Sequence, residues 1–255
     1  MKILRYSHDG RKRYGALEGD RIQPLAGELD ALVRTARAKP IPLDTVRLLA
    51  PATPGKIVAA GLNYGEFVRD LKVEPPREPL IFLKPSTAVI GPNDAIIYPP
   101  QTRELYYEGE LAIVIARRAS RVPQSEARRY VLGYTCMNDV TAGDLQNRDR
   151  EFTRSKSFDT FAPLGPVIET AIENSDALAL TTKHNGKLRQ NACTSDLIFK
   201  TDFLVSFISH IMTLLPGDVI STGTPRGVGQ IKPGDVIEIE IEQIGVLTNT
   251  VTVSE

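Results

Sequence analysis

Short apolar runs separated by proline and glycine dominate the chain. The stretches KIVAAGLN, PLIFLKP, AIIYPP, GELAIVIA, VLGYTCMNDV and PLGPVIE read as strands, and ALALTTKHNGKLRQNA, DVISTGTP and DVIEIEIEQIGVLTNTVTV continue the series. Ile237, Ile239 and Ile241 alternate with Glu238, Glu240 and Glu242, which predicts a half-buried strand with a solvated acidic face. Asn185-Gly186 between two extended runs predicts a type I′ hairpin. Helices are few: one is expected over QSEARRYV after Pro123, and a longer one over 200–214, where Phe203, Phe207, Ile211 and Leu214 recur at helical spacing. Ahead of these, KILRYS, RYGALEG and RIQPL are separated by turns at Asp9-Gly10 and Gly19-Asp20, and the composition shifts at Pro51, Pro54 and Gly55. The pattern predicts a mixed, β-rich α+β fold. It consists of a small N-terminal strand-rich domain over 1–50 and a main domain over 51–255 with a few covering helices. The strand spacing is too irregular for a propeller.

Composition narrows the functional classes. Lysine and arginine total 31 against 31 aspartates and glutamates, so the chain has no net charge and no basic surplus with which to grip phosphates. Nucleic acid is therefore not an expected partner. A hydrophobic share of 42% with 24% charged residues is that of a folding domain. Cys136 and Cys193 are too few for a disulfide framework, and the opening MKILRYSHDG lacks the apolar stretch of a secretory leader, which points to the cytoplasm. No run of about 18 apolar residues is present, so membrane embedding is not expected.

Candidate chemistry concentrates in YYEGELAIVI. On a strand Glu108 and Glu110 project to one side, and Gly109 between them is expected to leave the other side open. Two like charges so placed either lie on a solvated edge or share a cation. Asp139 ends the apolar run GYTCM, where a carboxylate needs a partner. Three carboxylates without a local histidine or cysteine describe a hard oxygen site suited to Mg²⁺ or Mn²⁺, at which a 2-oxo acid could chelate. Lys156 lies in the polar stretch TRSKSFD, and Thr222 to Gly229 form a glycine-rich loop without the ending of a phosphate-binding loop. The histidines His8, His184 and His210 are scattered, and His210 falls on the expected helix as a structural residue.

In that order and at that spacing, YYEGELAIVI, GYTCMNDVTAGDLQ, RSKSFDTFAPLGP, HNGKLRQ, TSDLIF and STGTPRGVG resemble the fumarylacetoacetate hydrolase superfamily. The resemblance covers 51–253. It is closest to the branch of 2-hydroxyhepta-2,4-diene-1,7-dioate isomerases, acylpyruvate hydrolases and oxaloacetate decarboxylases. It implies a mixed-β roll, a homodimer, and Mg²⁺ or Mn²⁺ held by Glu108, Glu110 and Asp139. It also implies that Asn63, Tyr64, Gln146 and Thr224 bind a small-molecule oxo-acid substrate and that Lys156 supplies positive charge to an enolate.

Two positions depart from the family pattern. Phe67 and Asp70 stand where a histidine and a glutamate of a lid helix are expected to activate water, and Gly143 replaces an arginine. Phenylalanine cannot shuttle a proton, so the resemblance favours metal-dependent decarboxylation or keto-enol or double-bond isomerisation of a 2-oxo or 2-hydroxy-enoate dicarboxylic acid. Glu66 and Asp70, four residues apart, would carry the remaining proton transfer. The alternatives are hydrolytic C–C cleavage of an acylpyruvate-type acid, or a catalytically silent metal- or ligand-binding member.

Overall fold

The run GELAIVI, apolar but for Glu110, forms a strand Gly109–Ile115 buried at every position, as a strand covered on both faces must be. In the computed structural model, which describes residues 1–35 and 38–253, this strand lies inside a thirteen-stranded sheet. It pairs antiparallel with Val131–Asn138 on one side and with Val219–Ser221 on the other. The sheet continues from Val219–Ser221 through Lys56–Gly61 to the edge strand Leu80–Pro85. From Val131–Asn138 it runs to Ala162–Glu169, and there the N-terminal strand Lys2–His8 joins it antiparallel. The strand-rich unit at the start of the chain is thus hydrogen-bonded into the main sheet.

A second, five-stranded sheet contains the acidic strand Val236–Ile241 and the hairpin Ala179–His184 and Lys187–Cys193. Ile237, Ile239 and Ile241 are 1% exposed, as their alternation predicts. Asn185 and Gly186 adopt φ of 52° and 72°, the left-handed pair that a type I′ turn requires. The two sheets approach closely at Gly109. Its far side, expected to be open, is filled: a Cβ there would collide with Thr182 Oγ1 and lie 2.9 Å from Gln190 Oε1. Glycine at this position lets one sheet settle on the other. Gly109→Ala is expected to lower stability by about 1–3 kcal/mol, the range for an overpacked core, as read by denaturant unfolding.

The long helix spans Thr201–Ile211, and the segment after Pro123 is a 3-10 helix, Gln124–Tyr130. The stripe Phe203, Phe207 and Ile211 is not the buried face. Leu204, Val205 and Ile208 are buried, Ile211 is 55% exposed, and Phe199, Phe203 and Phe207 stack along the half-exposed side at 5.4 and 6.0 Å. Both faces of this helix are apolar, so helical spacing alone does not select between them. No described helix is long and apolar enough to cross a membrane.

Candidate functional site

The carboxylates are brought together by strand register. Gly109 lies opposite Asn138, so the residues one step beyond each, Glu108 and Asp139, meet where the two strands end. The Glu108 backbone N–H donates to Asn138 Oδ1 at 2.9 Å, and the Asp139 N–H donates to Glu108 O at 2.9 Å. Glu110 is anchored from the third strand, accepting from Ser221 Oγ at 2.5 Å and from the Gly223 N–H at 2.9 Å on the same oxygen. Oxygen atoms of Glu108, Glu110 and Asp139 all lie within 4.8 Å of one another. Asp139 and Glu110 are 1% exposed, whereas the Glu108 side chain is 16% exposed and reaches the opening.

Two ammonium groups neutralise part of this charge. Lys156 Nζ donates to Asp139 Oδ2 at 2.7 Å and to Glu108 Oε2 at 3.0 Å. Lys84, absent from the sequence expectations, is fully buried and donates to Asp139 Oδ1 at 2.5 Å and to Val140 O at 3.1 Å. Burial opposes ionisation everywhere here, and the neighbours decide each outcome. For Asp139 the burial effect is outweighed by Lys156 and Lys84, which hold its carboxyl below the ordinary range. Burial raises Glu108 against the pull of Lys156. Burial, then the Asp139 and Glu108 charges, push Glu110 well above the usual carboxylate value. Lys156 resists burial because Asp139 and Glu108 face it, and its pKa is raised; burial lowers that of Lys84.

The donor set fits a hard divalent cation. It is all oxygen, and its spread of up to 4.8 Å is close to the span of about 4 Å across an octahedron with bonds near 2.1 Å. Counted as fully ionised, three carboxylates and two ammonium groups sum to one negative charge, and a divalent ion would favour the ionised form of the raised Glu108 and Glu110. Glu108, Glu110 and Asp139 are the residues that could hold it.

A cavity of 210 Å³ opens over the cluster, lined by Glu108, Glu110, Asp139, Lys156, Gln146 and Thr224 together with apolar residues. Thr224 is fixed in place: its Oγ1 accepts from Gln190 Nε2 at 2.8 Å and donates to Gly109 O at 3.1 Å. Other expected site residues lie elsewhere. Asn63 is 0% exposed and its amide is consumed by the backbone, donating to Phe199 O and Thr222 O and accepting from the Phe199 N–H. Tyr64 is likewise 0% exposed with its hydroxyl unpartnered, and neither Asn63 nor Tyr64 lines the cavity.

Glu66 and Asp70, expected as proton-transfer groups, sit on the outer side of the helix Gly65–Leu71. Their side chains are 54% and 52% exposed and share Arg226 at 3.5 Å each, while Phe67 and Leu71 of the same helix face the cavity. Exposed pairs of this kind contribute about 0–1 kcal/mol. Glu66→Gln and Asp70→Asn are therefore each expected to change turnover by less than about fivefold in steady-state assays.

Residues 56–252 match the family model for the fumarylacetoacetate (FAA) hydrolase C-terminal domain, and residues 1–51 match an Rv2993c-like N-terminal model. The chain belongs to the fumarylacetoacetate hydrolase superfamily. A structure of 5-carboxymethyl-2-hydroxymuconate delta-isomerase from Mycobacterium smegmatis is 42% identical and superimposes with a TM-score of 0.93 over the whole of both chains. The mitochondrial oxaloacetate tautomerase FAHD2B of Bos taurus is 39% identical, over 87% of this chain and 75% of its own length. Maleylpyruvate hydrolase from Sphingobium sp. SYK-6, in complex with manganese(II) and pyruvate, is 30% identical with a TM-score of 0.84 over both full chains. The mostly β architecture is that of these fumarylacetoacetate hydrolase relatives, which are isomerases, tautomerases and hydrolases.

Proposed function

We propose that the chain is a Mg²⁺- or Mn²⁺-dependent enzyme that isomerises or decarboxylates a 2-oxo or 2-hydroxy-enoate acid through an enolate. The observation that carries this reading is the placement of Lys156 Nζ against Glu108 and Asp139 at the floor of the cavity, beside the oxygen cluster. The Mn²⁺ and pyruvate named for the Sphingobium relative support the same metal and head group here. A bound cation would act as a Lewis acid toward the keto and carboxylate oxygens of the substrate.

The chain's own residues contribute charge and shape. Lys156, kept protonated by its two carboxylate neighbours, is unsuited to accept a proton and well placed to stabilise negative charge growing on the substrate oxygen. Gln146, with its amide at the cavity surface, can orient the substrate carboxylate. Phe67, Phe82 and Phe152 line the cavity and give it an apolar wall beside the charged cluster. Decarboxylation needs an electron sink and no base. Isomerisation needs a group that moves a proton from one carbon to another and hydrolysis one that activates water; among the described residues the titratable groups lining the cavity are Glu108, Glu110, Asp139 and Lys156, so loss of CO₂ is the step these residues serve without a further base.

Assays of the purified protein with oxaloacetate and with hydroxymuconate-type acids, with and without Mn²⁺, are expected to show metal-dependent enol-keto conversion or CO₂ release. The second reading, hydrolysis of an acylpyruvate-type acid, is favoured by the name of the Sphingobium relative and would be revealed by two acid products. A homodimer is the expected assembly, supported by the apolar edge strand on which Leu80 and Leu83 are 41% and 49% exposed.

A further inference from the structure

Each carboxylate of the cluster is held from behind on one of its oxygens. Glu108 Oε1 has Thr141 Oγ1 at 3.0 Å, and Glu110 Oε2 accepts from both Ser221 Oγ and the Gly223 N–H. Asp139 Oδ1 accepts from Lys84 Nζ at 2.5 Å. Among the described residues, Glu108 Oε2 and Asp139 Oδ2 meet only the Lys156 ammonium, and Glu110 Oε1 receives no hydrogen bond. One oxygen of each carboxylate is thus fixed by the fold, and the other is left for the cavity side.

Lys84 differs from the other supports because it brings a full charge into the interior. It is 0% exposed, on the edge strand Leu80–Pro85. Leu80, Phe82 and Lys84 share one face of that strand. The first two form part of the apolar mouth of the cavity, whereas Lys84 passes behind and does not line it. Its ammonium bonds the Asp139 side chain and the carbonyl of the next residue, Val140, at 3.1 Å, and lies 5.9 Å from the Phe161 ring centre. A molecule in the cavity does not reach it, so Lys84 is not a catalytic residue. Stability does not account for it either, since a buried ion pair gains little over an apolar pair of similar volume once desolvation is counted.

Resting on the reading of the three carboxylates as a divalent-metal site, we infer that Lys84 is the positioning residue of that site. By bonding both Asp139 Oδ1 and Val140 O it fixes the rotation of the carboxylate against its own backbone and leaves Oδ2 on the side of Lys156. The two lysines therefore have different tasks. Lys156 lines the cavity and sits on oxygens that a cation would take, so its bonds are exchangeable. Lys84 keeps its bond behind Asp139 whether or not a cation is present. A positive charge beside a cation site repels the cation, so charge alone predicts tighter metal binding when Lys84 is removed. Positioning predicts weaker binding, and the sign separates the two.

Calorimetric titration of Mn²⁺ into the native chain and into Lys84→Met reads that sign. Methionine keeps an apolar stem and leaves Asp139 paired with Lys156, so the variant is expected to unfold cooperatively. Its Mn²⁺ affinity is expected to fall by at least about tenfold, the scale on which loss of a group that orients a metal ligand is felt. Co²⁺ loading adds a readout that a merely structural role would not move: the visible bands of the variant are expected to change in intensity as Asp139 loses its fixed rotation. Equal or tighter Mn²⁺ binding by the variant, or an unchanged Co²⁺ spectrum, overturns the inference and leaves the metal reading standing. If the variant does not fold, a structure of the Mn²⁺-loaded native chain decides. Mn²⁺ on Asp139 Oδ2 alone with Lys84 on Oδ1 supports the inference; Mn²⁺ on both oxygens, or Lys84 withdrawn from Asp139, overturns it. No Mn²⁺ binding by the native chain overturns the metal reading and the inference with it.

Discussion

Lys156→Met is expected to reduce kcat by at least about a hundredfold, the usual consequence of removing one preorganised charge from a developing oxyanion. Methionine keeps the length and apolar stem of the side chain, so its contacts with Phe82 survive in part, while the charge beside Glu108 and Asp139 is lost. The same change removes a cation that competes for the oxygens a metal would use. Mn²⁺ affinity should hold or rise as turnover collapses. That opposite movement separates a role for Lys156 toward substrate from a role in building the cluster, and titration alongside single-turnover kinetics measures both. Equal loss of binding and turnover would make Lys156 structural.

Asp139→Asn should have the largest effect on the fold as well as on the site. Asp139 accepts from both lysines and is 1% exposed, and Lys84 is 0% exposed with no other carboxylate paired to it among the described residues. Breaking a buried pair from one side leaves an uncompensated charge and costs about 3–5 kcal/mol. Denaturant unfolding is expected to show a loss of that order and calorimetry a loss of Mn²⁺ binding. The double variant Asp139→Asn, Lys84→Met removes the stranded charge as well. It should recover much of the stability without recovering the metal, a non-additive result that measures the coupling. The sign of the pH dependence follows from the depressed Asp139 carboxyl: its stabilisation is present above the unfolded-state value and is lost as pH falls through the lower folded-state value. Acid unfolding of Asp139→Asn should accordingly be less steep than that of the native chain.

Glu108, Glu110 and Asp139 were legible in the sequence because local rules suffice: alternation places the two glutamates together, and an aspartate ending an apolar run demands a partner. Lys84 was not legible, since its meeting with Asp139 depends on Leu80–Pro85 pairing with Lys56–Gly61 at the far edge of the sheet, which no local pattern encodes. The Glu66 and Asp70 spacing correctly implied a shared helix face. Which face looks inward is set by the apolar mouth that takes Phe67 and Leu71, and Arg226, 156 residues beyond Asp70, only pairs with the exposed side. On its own strand Gly109 leaves an open side, and the second sheet, which no local pattern announces, fills that space. The longer strands were legible, since alternation and turn residues are local, whereas two- and three-residue strands such as Val33–Arg34, Arg47–Leu49 and Gly229–Ile231 carry too little pattern to read. Their order was not: Lys2–His8 lies beside Ala162–Glu169 because both present edges that need hydrogen-bond partners.

Three carboxylates at the meeting of three strands are expected to hold one divalent cation beside Lys156. Calorimetric titration of Mn²⁺ into the native protein and into Glu110→Gln tests it most directly, because Glu110 contacts neither lysine by hydrogen bond or ion pair and its loss leaves their pairing intact. One Mn²⁺ per native chain and at least about tenfold weaker binding in the variant are expected. Equal Mn²⁺ binding by the two proteins, or none by the native chain, would contradict it.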